Sequence, residues 1–349
     1  IDIKGETMDF ETRPLGRTDL HVTTLGLGGA TLGGSLARLT DSDGRIMVLE
    51  GYDSGIRYFD TAPMYGTGLS ERRIGDFLRD KPRDDYVLST KVGRLLVPDR
   101  AHALQVYGGD RRAMPFRVRF DYSYDGIMKS YEHSLQRLGL ERIDILYIHD
   151  LGHFSQGERY DETLKQALDS GLKALAELRA TGAARAIGAG VNEVPILEVL
   201  MDHGDWDLFL LANRYTLLDQ VVLDGFFERC LRAGVSIVDG APLNGGILAT
   251  GTIEGARYNY APASPEILDK VRRIDAVCRA HGVPMIHAAL AFPLGHEAVA
   301  SIIPGPSTLA EFASNHAAYT TAIPAALWDD LKREGLLHPG APPPETPIL

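Results

Sequence analysis

Four ionisable side chains carry the chemistry this sequence suggests. Asp60 and Tyr65 stand in "YFDTAPMYGTG" (58–68), Lys91 in "STKVGR" (89–94) and His149 in "LYIHD" (146–150). A tyrosine, with a reference pKa of ~10, is a poor base at neutral pH. An ammonium beside the phenol favours the phenolate and lowers that pKa, and a carboxylate paired with the same ammonium keeps it charged and oriented. A histidine nearby can hydrogen-bond a substrate oxygen and hold it for proton exchange with the tyrosine. Together they suit proton transfer coupled to hydride transfer. Taken singly, each reads more simply as structural, because ordinary ion pairs also sit at strand ends. The combination is what points to chemistry.

Eight strand-like runs position these residues: 23–29, 57–62, 86–92, 144–150, 184–191, 208–214, 236–242 and 300–305. Most are nearly continuous apolar runs, as expected of parallel strands covered on both faces. Helical patterns lie between them. One spans 70–79, one spans 124–138 and stops at Gly139, and one spans 161–180. A further one opens with Ser264 as N-cap and Pro265 at the first helical position, and ends at Gly282. The alternation predicts an α/β fold, a (β/α)8 TIM barrel. An N-terminal β-hairpin (11–26), a long loop after the third strand (94–125) and an extra C-terminal helix elaborate it. The expected unit is a single domain over 8–349, with residues 1–7 preceding Met8 and a proline-rich tail (338–349) extended and poorly tied down. In such a barrel the C-terminal strand ends face the active site, so Asp60, Lys91 and His149 would end strands two, three and four on one rim.

The doubly wound alternative would need a dinucleotide loop after the first strand. "GLGGATLGG" (26–34) lacks the G-x-G-x-x-G spacing, and Gly34 stands where a P-loop requires lysine. Both nucleotide motifs fail. Over 349 residues the formal net charge is −11, with 44% hydrophobic and 24% charged residues. That balance describes a globular chain with a full core and argues against nucleic-acid and anionic-membrane partners, leaving a small molecule. Cys230 and Cys278 fall in helical segments, so no disulfide and a reducing, cytoplasmic setting are expected. No cationic segment leading into an apolar run opens the chain, and no apolar run approaches a membrane span.

"FDTAPMYG", "STKVGR" and "LYIHD" resemble three signature segments of the aldo-keto reductase superfamily, and the similarity runs from about Leu15 to Leu337. The resemblance implies the barrel, a catalytic tetrad of Asp60, Tyr65, Lys91 and His149, and a nicotinamide cofactor bound without a Rossmann fold. It implies cofactor contacts at Gly29, Asn192, Leu243, Asn244, Gly245, Gly305, Ser307, Glu311 and Asn315. Three departures stand out: no serine precedes Asn192, Ala212 replaces a glutamine, and Gly240 replaces an aromatic. Relatives that prefer NADP place Lys or Arg near Gly305 and Glu311. A carboxylate there repels a 2′-phosphate and can accept ribose hydroxyls, so NAD is expected, with NADP as the other choice.

"IGAGVN" and "GLLHPGAP" look closest to the D-threo-aldose 1-dehydrogenase group, which includes L-fucose and pyridoxal dehydrogenases. That implies oxidation of a cyclic hemiacetal, of a sugar or a vitamer, to its lactone. Met64, Tyr107, Phe116, Phe120 and Asp150 are candidate substrate contacts, with Tyr122 among the aromatics that could stack on a ring; plain packing of a long loop is the competing reading. An NADPH-dependent aldehyde or ketone reductase is the alternative enzyme, and a cofactor-binding regulatory subunit the alternative outside catalysis. A metal-dependent hydrolase is disfavoured, because His149 and His153 follow a strand and too few further ligands accompany them.

Overall fold

The computed structural model describes residues 10–34, 39–106, 108 and 113–344. β1 (Thr12–Pro14) and β2 (His21–Thr23) form the opening hairpin. β3 (Leu27–Gly28), β4 (Tyr58–Asp60) and β5 (Val87–Val92) are the first three barrel strands. β6 (Arg94–Pro98) and β7 (Phe116–Phe120) pair as an antiparallel hairpin outside the barrel. β8 (Ile145–His149), β9 (Ala186–Val191), β10 (Leu208–Ala212) and β11 (Ser236–Gly240) continue the sheet. β12 (Arg257–Tyr258) and β13 (Ala261–Pro262) make a small hairpin, and β14 (Val299–Ile303) is the last barrel strand.

The eight barrel strands lie in the order β14-β11-β10-β9-β8-β5-β4-β3, all parallel. A parallel bridge between Leu25 and Ile302 closes the ring. Its bonds run from Gly26 N to Ile302 O (2.9 Å) and from Ile302 N to Thr24 O (2.8 Å). Side-chain alternation then makes two cores. Tyr58, Ile145, Tyr147, Leu208, Leu210 and Val238 pack inside the barrel with Leu15, Leu20 and Val22 of the hairpin region. Phe209, Leu211 and Ile237 point outward into the layer of helices. Strands buried on both faces explain why they read as apolar runs.

Helix ends follow local chemistry. Ser123 Oγ accepts from Gly126 N (3.1 Å) at the start of the helix Tyr124–Leu138, and Gly139 ends it at φ +63°. Ser264 and Pro265 open the helix Pro265–Ala280. Ala325–Arg333 is the extra C-terminal helix. Cys230 and Cys278 are buried, free and helical, and burial pushes both thiols up to about 12.

Four expectations need correction. The first run, 23–29, is split: β2 ends at Thr23, and only Leu27–Gly28 is strand. The loop after strand three has structure of its own, the β6–β7 hairpin enclosing a helix at Arg100–Val106. The helix expected over 161–180 is two, Tyr160–Gln166 and Leu172–Ala180, joined by a π-turn at Ala167–Gly171. A Cβ on Gly171 would lie 2.1 Å from Tyr122 O, and Gln166 and Ser170 on this stretch accept from Tyr122 N and Tyr124 N. The wide turn therefore presses the helix against the start of its neighbour. The tail is anchored as far as it is described: Ala341 is buried, His338 N donates to Gln220 Oε1 (3.2 Å), and Pro342–Pro344 cover Gly295.

Asp239, on the outward face of β11, is 1% exposed, and neither carboxylate oxygen has a hydrogen-bond donor among the described residues. Burial holds its carboxyl well above the usual range. A group with a raised folded-state pKa binds its proton more tightly when folded. Its stabilisation is complete below the unfolded value of ~3.9 and is lost as pH rises toward the folded value, by about 1.4 kcal/mol per pH unit. Asp239→Asn is therefore expected to raise the melting temperature at pH 8 and change it little at pH 4. Thermal denaturation across that range checks the sign.

Candidate active site

Strand register brings the polar residues together. Asp60 lies opposite Ser89 of β5 and Gly28 of β3, and Lys91 lies opposite Tyr147 of β8. Residues two apart on a strand share a face, so Ser89 and Lys91 point the same way, as do Tyr58 and Asp60, and Tyr147 and His149. The result is a hydroxyl floor beneath an ion pair. Tyr58 Oη bonds Tyr147 Oη (3.0 Å) and Ser89 Oγ (3.1 Å), and Ser89 Oγ donates to Asp60 Oδ1 (2.6 Å). Lys91 Nζ donates to Asp60 Oδ2 (2.6 Å) and Thr61 O (2.9 Å), with both members of the pair 2% exposed. Gly190 of β9 makes room for the lysine stem, since its Cβ would lie 3.3 Å from Lys91 Cε. Ser89, Tyr58 and Tyr147 were not found from sequence; the period-two spacing of Ser89 and Lys91 was the available signal.

The glycine-rich segment turns out to clamp the tyrosine. A Cβ on Gly33 would lie 2.4 Å from the carbonyl carbon of Tyr65, and one on Gly66, at φ +61°, 1.9 Å from Gly33 O. Only glycine at both positions allows this approach. Gly29 is held in the same wall, its amide donating to Asp60 O (2.7 Å). So clamped, Tyr65 places its ring 4.8 Å from Lys91 Nζ and edge-on to His149, with centroids 6.1 Å apart.

The electrostatics partly reverse the sequence reading. Burial raises the Tyr65 phenol to about 12; Lys91 pulls it down as expected, but Asp60 and Asp150 push it up and burial prevails. For Lys91, burial alone would lower the ammonium, yet Asp60 and Tyr65 hold it above its usual value. His149 is pushed well below its usual range, by burial first and then by Arg94 and Lys91. It is neutral at pH 7, a hydrogen-bonding group rather than a cation. Its carbonyl accepts from Tyr122 Oη (2.6 Å), and its Nδ1 has no hydrogen-bond partner among the described residues.

Beside His149, Asp150 pairs with Arg94 (2.5 Å) and accepts from Asn192 Nδ2 (3.2 Å). Asn192 Oδ1 accepts from Tyr260 Oη (3.1 Å), and its backbone carbonyl from Arg214 Nε (2.7 Å). Met64 is an exposed apolar side chain touching Arg94. Tyr107 lies outside the described residues. Phe116 is half-buried on β7, and Phe120 carries the guanidinium groups of Arg94 and Arg159 over its ring, at 5.1 and 4.6 Å. Tyr122 is wholly buried with its hydroxyl on His149 O, so it positions backbone and offers no stacking face.

The remaining cofactor candidates form an arc across the strand ends. Leu243 is half-buried, and Gly245 (φ +73°) lies at the exposed surface. Asn244 is buried, accepting from Thr216 Oγ1 (2.5 Å), so its carbonyl oxygen is engaged. Gly305 follows β14; a Cβ there would lie 3.2 Å from Gly28 O and 3.7 Å from Thr31 Oγ1. Thr31 Oγ1 is buried with no hydrogen-bond partner among the described residues, which makes Thr31 a candidate contact that sequence reasoning missed. Thr308 caps the helix Leu309–Tyr319, and Glu311 accepts from Ser307 N (2.7 Å), placing a carboxylate at that helix start. Asn315, one turn on, lines a narrow cavity with Leu27, Pro304 and Phe312.

The chain belongs to the aldo/keto reductase family, whose model matches residues 24–333. It is 41% identical to a pyridoxal 4-dehydrogenase of Microbacterium luteolum, covering 94% of this chain and 98% of that protein. It is 38% identical to a D-threo-aldose 1-dehydrogenase of Pseudomonas sp, covering 91% and 95%. It is 30% identical to an L-galactose dehydrogenase of Arabidopsis thaliana, covering 89% and 88%. Among solved structures, an aldo-keto reductase from Bacillus halodurans in its holo form superposes with a TM-score of 0.72 at 24% identity, covering 97% of this chain and 100% of that one, a likeness of fold. The chain is an oxidoreductase of a family that uses nicotinamide cofactors.

Proposed function

We propose that this protein oxidises the cyclic hemiacetal of an aldose or of pyridoxal to its lactone, using NAD, with Tyr65 as the acid/base. The observation that carries the reading is the convergence of Asp60, Lys91, Tyr65 and His149 on one rim, with the lysine bonded to the carboxylate and lying over the phenol. Bound NAD would accept the hydride that leaves the reacting carbon. Tyr65 Oη takes the hydroxyl proton from the substrate, and Lys91 stabilises the phenolate that must form first. Asp60, supported by Ser89, keeps Lys91 charged and aimed. His149, neutral, holds the substrate oxygen by a hydrogen bond. The 41% and 38% identities to pyridoxal and aldose dehydrogenases support the substrate classes.

The donor set around Gly305 fits NAD. The unpartnered Thr31 hydroxyl beside Gly305 offers a polar contact, and Glu311 would accept ribose hydroxyls. Residues 305–316 contain no lysine or arginine to meet a 2′-phosphate. Glu311→Gln removes the repelling charge and keeps an acceptor for Ser307 N. It is expected to tighten NADP binding about three- to tenfold, the scale of one exposed charge, and to loosen NAD binding by no more than that through the weakened bond to the ribose hydroxyls. Fluorescence titration with both cofactors measures this.

One observation favours the reverse direction as a second reading. A phenol held up to about 12 stays protonated at neutral pH, which suits giving a proton to a carbonyl. Following the absorbance of reduced cofactor with L-fucose, D-arabinose, L-galactose and pyridoxal tests both readings. Reduction of NAD, faster at alkaline pH, supports the dehydrogenase. Activity confined to reduction of carbonyl substrates by NADPH would replace it with the reductase.

A further inference from the structure

Asp150 stands out because its backbone and its side chain are both fixed at some cost. Its φ is +49°, a left-handed value uncommon outside glycine, immediately after His149. Such a conformation persists where surroundings over-determine it. Here Asp150 N donates to Gly190 O (2.8 Å), and Asp150 O accepts from Gln156 Nε2 (2.7 Å) and Tyr122 Oη (3.3 Å). The side chain is 12% exposed, gripped by Arg94 on Oδ2 and Asn192 on Oδ1. A regular strand end would need none of this. What the turn achieves is to hold the carboxylate beside the imidazole, with His149 Nε2 3.6 Å from Asp150 Oδ2.

That separation is too long for a hydrogen bond between the two groups. It suits two neighbouring oxygens of one substrate, one held by the imidazole and the other donating to the carboxylate. An ionised carboxylate has about four acceptor sites, and the two donors here leave others open. The carboxylate is also near enough to raise the Tyr65 phenol, so it faces the place where the proton moves.

Resting on the hemiacetal reading above, we infer that Asp150 is the specificity-determining residue of this site, accepting a hydrogen bond from the substrate hydroxyl next to the reacting centre. In an aldose this is the C2 hydroxyl beside the anomeric C1. In pyridoxal it is the ring hydroxyl, one carbon further from the reacting carbon, which donates in its neutral, protonated tautomer. Substrates without that donor leave a desolvated carboxylate unmatched, and a site built to bond a hydroxyl rejects the analogue lacking it.

The test compares D-arabinose with 2-deoxy-D-ribose, which is its 2-deoxy form, and pyridoxal with 3-deoxypyridoxal, as kcat/KM for NAD reduction. The wild-type protein is expected to prefer each parent it oxidises by about ten- to hundredfold, the size of one hydrogen bond to a charged group. In Asp150→Asn that preference should fall at least several-fold, through loss on the parent and little change on the deoxy compound. The ratio is independent of how much protein folds. Equal use of parent and deoxy analogue by the wild type would overturn the inference while leaving the dehydrogenase reading intact. So would an Asp150→Asn variant that loses both substrates in equal proportion. Failure of both parents to reduce NAD would remove the underlying reading and this inference with it.

Discussion

Tyr65→Phe is expected to lower kcat by about 10²- to 10⁴-fold, the usual worth of a positioned acid/base, and to leave NAD affinity nearly unchanged. The substitution removes only the hydroxyl. The ring keeps its contact with Lys91 Nζ and its edge-on packing against His149, and the Gly33–Gly66 clamp fixes the backbone independently of the side chain. The wild-type oxidation rate should also rise with pH through the neutral and alkaline range, because the phenol stands at about 12 in the free protein. Residual activity of the variant should lose that slope. Steady-state kinetics beside a cofactor titration distinguishes a lost proton acceptor from a lost binding site.

Lys91→Met is expected to damage stability and catalysis together. The pair with Asp60 is 2% exposed on both sides, and removing one member of a buried pair costs about 3–5 kcal/mol by leaving the other charge uncompensated. Ser89 alone would remain as a side-chain donor to Asp60. The phenol would lose the ammonium that pulls it down, so oxidation should fall at every accessible pH. The double variant Asp60→Leu with Lys91→Met should recover most of the stability, since apolar replacement of a whole buried pair is often neutral. It should recover none of the activity. Denaturant unfolding of the three proteins measures the first effect and kcat the second; a Lys91→Met protein as stable as the wild type would show that Asp60 is not left as an uncompensated buried charge.

How much of this was legible beforehand depended on whether the determining contacts are local. The eight strands could be read because each is buried on both faces and so appears as an apolar run. For the same reason Asp60, Lys91 and His149 stood out, as ionisable residues at the ends of such runs. The Tyr58–Ser89–Tyr147 floor did not, because a serine or tyrosine inside a strand looks ordinary until register sets Asp60 opposite Ser89. The glycines at 26–34 were recognisable as unusual but not as the partner of Gly66, a contact between distant segments. The net shift of Tyr65 was misjudged for a related reason. The neighbouring lysine is visible in the sequence, whereas the depth of burial that outweighs it exists only in the folded chain. Tyr122 looked available for stacking until the fold buried it and spent its hydroxyl on His149 O.

The most direct test of the central claim uses an aldose labelled with deuterium at C1, turned over with NAD, followed by mass analysis of the reduced cofactor and of the sugar product. One deuterium is expected on the nicotinamide of every NADH formed, with a lactone that carries none, and transfer in Tyr65→Phe slowed by about the same 10²- to 10⁴-fold as its kcat. Unlabelled NADH, or a product that keeps its deuterium, would contradict hydride transfer from the hemiacetal carbon at this site.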